Sequence, residues 1–274
     1  MTDLLPPIAM LGVGSMGGAI LQGLVQHGAE RIAVTNRTVE KAAAIQLDGV
    51  ESIALVDEPG GNARAVDGAK LVVLGVKPAG IVELAREIAP HLATDAVVVS
   101  IAAGTTTASI EAALPASASV VRAMPNTPST VGLGVTGVAG GSRASEADVA
   151  LVARMFEAVG EVIVLDESQI DALSTISGSG PAYVFLLIEE LTKTAERMGF
   201  TAEQAATMVQ GTFRGATELL AADGSEPAEL RRRVTSPKGT TEQAIGVLQE
   251  ADLGAVFDRA TAAALARAQE LAAG

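Results

Sequence analysis

The chain has 274 residues, more than one hydrophobic core usually serves, and is 49% hydrophobic with only 2% aromatic, so its cores must be filled by Ala, Val, Leu and Ile. Cysteine is absent, which excludes a disulfide framework, a thiolate zinc site and a thiol nucleophile, and no metal is expected. A formal net charge of −13 sets the chain against a bare nucleic-acid backbone. Met1 to Pro7 lacks a basic start and a long apolar run, so no leader peptide is expected. The apolar stretch Tyr183 to Ile188 stops at Glu189 and Glu190, well short of the ~20 residues of a membrane span. The expectation is a cytoplasmic protein that meets neither membrane nor nucleic acid.

From Ile8 to about Leu165 short β-branched runs alternate with Ala-rich helical stretches, the pattern of a doubly wound, Rossmann-type α/β domain. The strands expected are Ile8 to Gly12, Arg31 to Asn36, Lys70 to Val76, Ala96 to Ile101, Val120 to Met124 and Val162 to Leu165. After Asp166 the alternation ends and long helical patterns follow, broken at Gly180-Pro181, Gly199, Gly224 and Ser236-Pro237. This divides the chain into a nucleotide-binding domain over 1–166 and an all-α domain over 167–274. A helix from about Pro181 to Met198 carries apolar residues almost all round at first, which asks for burial on several sides, as by a second subunit.

The first strand runs into Gly12-Val13-Gly14-Ser15-Met16-Gly17 and then a helical pattern. In that setting a G-x-G-x-x-G turn brings backbone N–H groups and a helix N-terminus up to a dinucleotide pyrophosphate; strand-to-helix packing is the plainer use of such glycines. The second strand ends Asn36-Arg37-Thr38, with no acid to grip ribose hydroxyls, so a 2′-phosphate and NADPH are favoured over NADH. The alternative is a solvated Arg37 beside a Thr38 helix cap. Val76-Lys77-Pro78 ends the next strand, where Lys77 reaches a ligand or merely faces water. Ala102 and Ala103, after another strand, leave room for a flat ring or simply pack.

Two prolines flank Asn126, which would hold its amide at the tip of a rigid turn as a coenzyme ligand near the nicotinamide, unless the turn is only structural. Ser177-Gly178-Ser179-Gly180-Pro181-Ala182-Tyr183 would open the long helix with a free N-terminus or pack it tightly. In Thr235-Ser236-Pro237-Lys238-Gly239-Thr240-Thr241, Thr240 and Gln243 read as a capping box whose free N–H groups suit a carboxylate. Capping alone is the simpler account. His27 and His91 fall at helix ends and read as structural.

These motifs, in this order and over nearly the whole chain, resemble the pyrroline-5-carboxylate reductases. The resemblance implies a Rossmann domain binding NADPH, with NADH as the alternative. It also implies an all-α dimerisation domain like the C-terminal domain of 6-phosphogluconate dehydrogenase, and a homodimer that can build larger rings of dimers. The reaction it implies is reduction of 1-pyrroline-5-carboxylate to L-proline, the last step of proline biosynthesis. It places Asn62 at the adenine ribose. Glu167, Ser236, Gly239, Thr240 and Thr241 would hold substrate, with the Thr241 hydroxyl facing the ring nitrogen as the catalytic group. Two positions depart from the family pattern: Gly17, where alanine is common, and Lys238, where glycine is common. A β-hydroxyacid dehydrogenase is the rival enzyme, but it needs a basic lysine early in the long helix, and none comes before Lys193. A non-catalytic NADP-binding sensor is the rival of a different kind.

Overall fold

The computed structural model describes residues 5–273, so the reading of Met1 to Leu4 as free of a leader, and Gly274, lie outside the described residues. The chain forms two compact units, one of residues up to Ser179 together with the stretch from Ala264, the other Gly180 to Ala263.

The first unit is built on an eight-stranded sheet. In chain order it runs β1 (Ile8–Leu11), α1 (Ser15–Gln26), β2 (Ile32–Asn36), α2 (Val39–Ala43), β3 (Val50–Ala54), α3 (Gly61–Val66), β4 (Leu71–Leu74) and α4 (Pro78–Ile88). It continues with β5 (Val97–Ser100), α5 (Thr107–Glu111), β6 (Ser119–Met124), β7 (Gly134–Gly140), α6 (Glu146–Glu157), β8 (Gly160–Val164) and α7 (Glu167–Leu173). The strand order is β3-β2-β1-β4-β5-β6-β7-β8. Among the described residues only the β6–β7 pair is antiparallel. Central strands are buried on both faces, which is why they read as unbroken apolar runs. Ile8 and Met10 pack into one layer of core with Val73 and Val99, while Ala9 and Leu11 pack into the other with Val72 and Val98. Each such fully buried Val, Leu or Ile contributes roughly 1.5–3 kcal/mol of transfer free energy.

Two strands escape the sequence reading. β3 is an edge strand that mixes Glu51 and Ser52 with its apolar residues. β7 contains Gly134, Gly137 and Gly140 and reads as a loop, because glycine is poor in strands. Helix α7 packs close to one of these: a Cβ on Gly137 would lie 2.8 Å from Leu173 Cδ1, which would have to shift. That packing keeps α7 with the sheet, so the first unit runs on past the expected boundary at 166/167 to Ser179.

The second unit is helical: α8 (Gly180–Arg197), α9 (Ala202–Asp223), α10 (Pro227–Arg233), α11 (Thr240–Glu250) and α12 (Leu253–Ala273), the last running on past Ala263. Within it the only buried hydrophobics among the described residues are Ala195, Ala205 and Val209. Val184, Phe185, Leu186, Leu187 and Leu191 of α8 all stand exposed. No helix among the described residues is long and apolar enough to cross a membrane.

Candidate active site

The glycine-rich turn lies at the carboxyl end of β1, the edge at which open α/β sheets bind ligands. Gly12 takes φ +84°, and a Cβ there would lie 2.6 Å from Val76 Cγ1. Gly75 faces it from the end of β4, where a Cβ would strike the Gly12 carbonyl. The two backbones therefore meet with no side chain between them. Gly14 is the N-cap of α1 with no side-chain cap, and a Cβ on it would meet nothing within 4 Å. The N–H groups of Ser15, Met16 and Gly17 open the helix and have no intrahelical acceptor. Gly18 is the first to find one, donating to the Gly14 carbonyl at 2.8 Å. Open ground before an uncapped helix start fits a phosphate.

Asn36, at the end of β2, is 4% exposed, and its Nδ2 has no hydrogen-bond partner. An orphaned buried donor is costly and points to a ligand acceptor. Arg37 beside it is exposed and has no protein partner among the described residues. Thr38 caps α2, accepting from the Lys41 N–H at 3.4 Å, so the helix-cap reading of that residue holds. These features suit a dinucleotide carrying a 2′-phosphate. Asn62 is turned inward: its Oδ1 accepts from the Thr35 hydroxyl at 2.8 Å and its Nδ2 donates to Glu87 at 3.0 Å. Lys77 is exposed as the N-cap of α4 and Pro78 fills the first helical position. Ala102 is buried and Ala103 exposed just past β5. The His27 ring binds the Gly23 carbonyl at 2.9 Å, as a structural helix-end histidine should.

Three expectations are corrected. Asn126 does not present its amide outward: it is 7% exposed and spends both ends inside the protein. Gly180 does not open a free helix N-terminus, because α7 passes through a π-helical turn, Ser174–Gly178, almost directly into α8. Thr240 is not an N-cap: α11 starts at Thr240 with Gly239 as its cap and no side-chain capping bond. Glu242 serves instead, its Oε2 accepting from the Lys238 N–H at 2.8 Å. The Gly239 N–H is taken by the Ser236 carbonyl at 3.0 Å. The free N–H groups at this helix start are thus those of Thr240, Thr241 and Glu242. In α10, just before this loop, Glu229 is held down to about 2 by its bonds to Arg232 and then Arg233.

Glu167 is also engaged. Its Oε1 accepts from the Thr107 N–H at 2.7 Å and its Oε2 from the Thr107 hydroxyl at 2.6 Å. Arg122, 3% exposed, donates to Asp171 at 2.6 Å and stands 3.8 Å from Glu167. Sequence reading passed over this network. Its signal was a lone arginine in the apolar run Val120-Val121-Arg122-Ala123-Met124 and two acids four apart on α7.

Residues 167–271 match the family model described as pyrroline-5-carboxylate reductase dimerisation, and residues 7–104 that of NADP oxidoreductase, coenzyme F420-dependent. A pyrroline-5-carboxylate reductase of Pseudomonas aeruginosa is 40% identical over 97% of each chain. The chain belongs to the pyrroline-5-carboxylate reductase family. The solved pyrroline-5-carboxylate reductase of Coxiella burnetii superposes with a TM-score of 0.87 at 37% identity, covering 97% of this chain and 98% of its own. That of Plasmodium falciparum, with NADP bound, shares the fold at a TM-score of 0.82 and 22% identity, over 97% and 98% of the two chains. The pyrroline-5-carboxylate reductase likeness thus runs through the sheet and the helices alike. Lys238, where the resemblance led to the expectation of glycine, takes φ +60°, the left-handed region that glycine enters freely and a lysine only under strain.

Proposed function

We infer that the protein is a pyrroline-5-carboxylate reductase that reduces 1-pyrroline-5-carboxylate to L-proline, with NADPH as donor and NADH as the alternative. The observation that carries this is full-length kinship at 40% identity, in a chain whose second strand ends in an unpaired Asn36 and a free Arg37. The coenzyme supplies the hydride. The Gly12 to Gly17 turn holds the pyrophosphate, Asn36, Arg37 and Thr38 the 2′-phosphate, and Val76, Lys77, Pro78, Ala102 and Ala103 flank the rest; Asn62, expected at the adenine ribose, is held by Thr35 and Glu87 and braces that side instead.

The substrate carboxylate binds the N–H groups of Thr240 and Thr241 with Ser236 and Gly239 shaping the loop. Thr241 holds a hydrogen bond to the ring nitrogen as the amine forms. Because a protonated imine is already electrophilic, the residues chiefly orient the reacting partners. Glu167, expected beside the substrate, positions α7 through Thr107. By role, residues 1–166 serve the coenzyme and 167–274 dimerisation and substrate, although the compact units divide after Ser179, in a cytoplasmic homodimer, which can assemble into a ring of dimers.

The β-hydroxyacid dehydrogenase reading lacks its base: Lys193, the first lysine of α8, is bound by Glu189 at 2.5 Å and Glu190 at 2.9 Å. Spectrophotometric assay decides among the readings. Oxidation of NADPH with 1-pyrroline-5-carboxylate is expected. Reduction of NADP by a hydroxy acid, with the imine inert, would establish the dehydrogenase, and tight coenzyme binding without turnover the sensor. Thr241→Ala is expected to lower kcat about tenfold, the worth of one hydrogen bond made best late in the reaction. Arg37→Asp is expected to raise the KM for NADPH about tenfold or more and that for NADH little, since only NADPH loses a charge-assisted bond. Equal effects on both coenzymes would refute the assignment.

A further inference from the structure

Asn126 follows β6 and ties two distant pieces of backbone together. Its Nδ2 donates to the Ser177 carbonyl at 2.9 Å, and its Oδ1 accepts from the Val135 N–H at 2.8 Å. One partner offers only an acceptor and the other only a donor, so a single orientation of the amide satisfies both.

The segment it grips has an unusual backbone. In the π turn Ser174–Gly178 the Ser179 N–H reaches the Ser174 carbonyl at 2.9 Å. The hydroxyls of Ser174, Thr175 and Ser177 donate to the carbonyls of Asp171, Ala172 and Leu173 at 2.8, 2.8 and 3.2 Å. Hydroxyls bonded back along a helix bend it and soften its ladder, and π turns recur at functional sites. A Cβ on Gly178 would lie 3.6 Å from Met124 Cε, so the turn sits on the end of β6. There β6 runs parallel to β5, and both end at the edge where Ala102 and Ala103 face the coenzyme ring in the reading above. The first stretch of the first compact unit ends one residue beyond the turn, at Ser179.

We propose that Asn126 is a positioning residue of the reduction: its amide clamps the π turn onto the end of β6, forming a wall beside the nicotinamide, and does not touch the coenzyme. This rests on the reductase reading and assigns Asn126 a part different from the coenzyme ligand expected from sequence. A clamp acts on how the ring is presented and leaves the phosphate and adenine contacts, which dominate coenzyme affinity, untouched.

The test is Asn126→Asp, which keeps the acceptor for Val135 but sets a carboxylate oxygen against the Ser177 carbonyl, with Asn126→Ala as a second, gentler variant. Both are followed in the intact protein by steady-state kinetics and by amide hydrogen exchange. The expected result is a fall in kcat of about tenfold or more with the KM for NADPH changed less than about twofold. Exchange should quicken across residues 174–179 while Val97 to Ser100 stay protected. A raised KM for NADPH with kcat retained would mean that the amide binds the coenzyme, and would overturn the proposal. Unchanged exchange at 174–179, or loss of the fold in both variants, would overturn it too. Should the unaltered protein leave the imine unreduced, the reductase reading fails by itself, and the exchange measurement still decides whether the clamp exists.

Discussion

Gly12→Val is expected to abolish useful coenzyme binding, weakening the Kd for NADPH at least about a hundredfold, which corresponds to about 3 kcal/mol. The reason is double. Gly12 sits at φ +84°, where a β-branched residue is a strained outlier. Its new Cβ would also fall 2.6 Å from Val76 Cγ1 and 3.3 Å from the Val76 nitrogen, and the second of these is backbone that cannot swing aside. The turn must move, and with it the uncapped N–H groups of Ser15, Met16 and Gly17 that the phosphate needs. Gly12→Ala has the same φ and the same Cβ without the branches, so a smaller loss of about tenfold is expected. Titration of NADPH fluorescence measures both, with the melting temperature recorded alongside. Wild-type affinity in the valine variant would remove the glycine turn from the coenzyme site.

Arg122→Met should cost about 3 kcal/mol of stability, seen as a melting midpoint lower by about 10 °C. The side chain is 3% exposed and is the cation between Asp171 and Glu167, each 26% exposed. Methionine fills much of the volume, so the loss isolates the charge: two carboxylates remain at the buried joint between β6 and α7 with no cation between them. Partial exposure of those acids keeps the figure at the low end of what stranded buried charges cost. Arg122→Met combined with Asp171→Leu should recover part of the loss, since one stranded acid is then gone. Calorimetry that finds the single variant as stable as the parent would show the pair to be worth nothing.

The division between what could and could not be read from sequence is physical. The turn at Gly12 was legible because close backbone approach demands particular residues at fixed spacing. The inner strands expected were legible because strands buried on both faces are continuous apolar runs; β1, β2, β4 and β5 came out shorter than expected, as at β4, where Gly75 turns away to face Gly12, whereas β6 and the exposed edge strand β8 begin earlier. β7 was not legible, because it is shaped by what packs on it: glycine at Gly137 answers to Leu173, far along the chain. The Thr240 to Gln243 spacing suggested a capping box, yet Glu242 reaches back to Lys238 instead, whose backbone stands at φ +60°. Asn126 was singled out for the right reason, a rigid turn between two prolines, but its amide direction depends on Val135 and Ser177. Such partners are tertiary facts that local spacing does not contain.

The helical unit, with Ala195, Ala205 and Val209 as its buried hydrophobics and Phe185, Leu186 and Leu187 in the open, bears on how the protein is made. A chain leaving the ribosome can close its sheet alone, but it must search for a sister chain while α8 still shows bare hydrocarbon to the solvent. Covering of this half by a sister chain therefore depends on protein concentration. The interval before that encounter is when chaperones and proteases have most to hold.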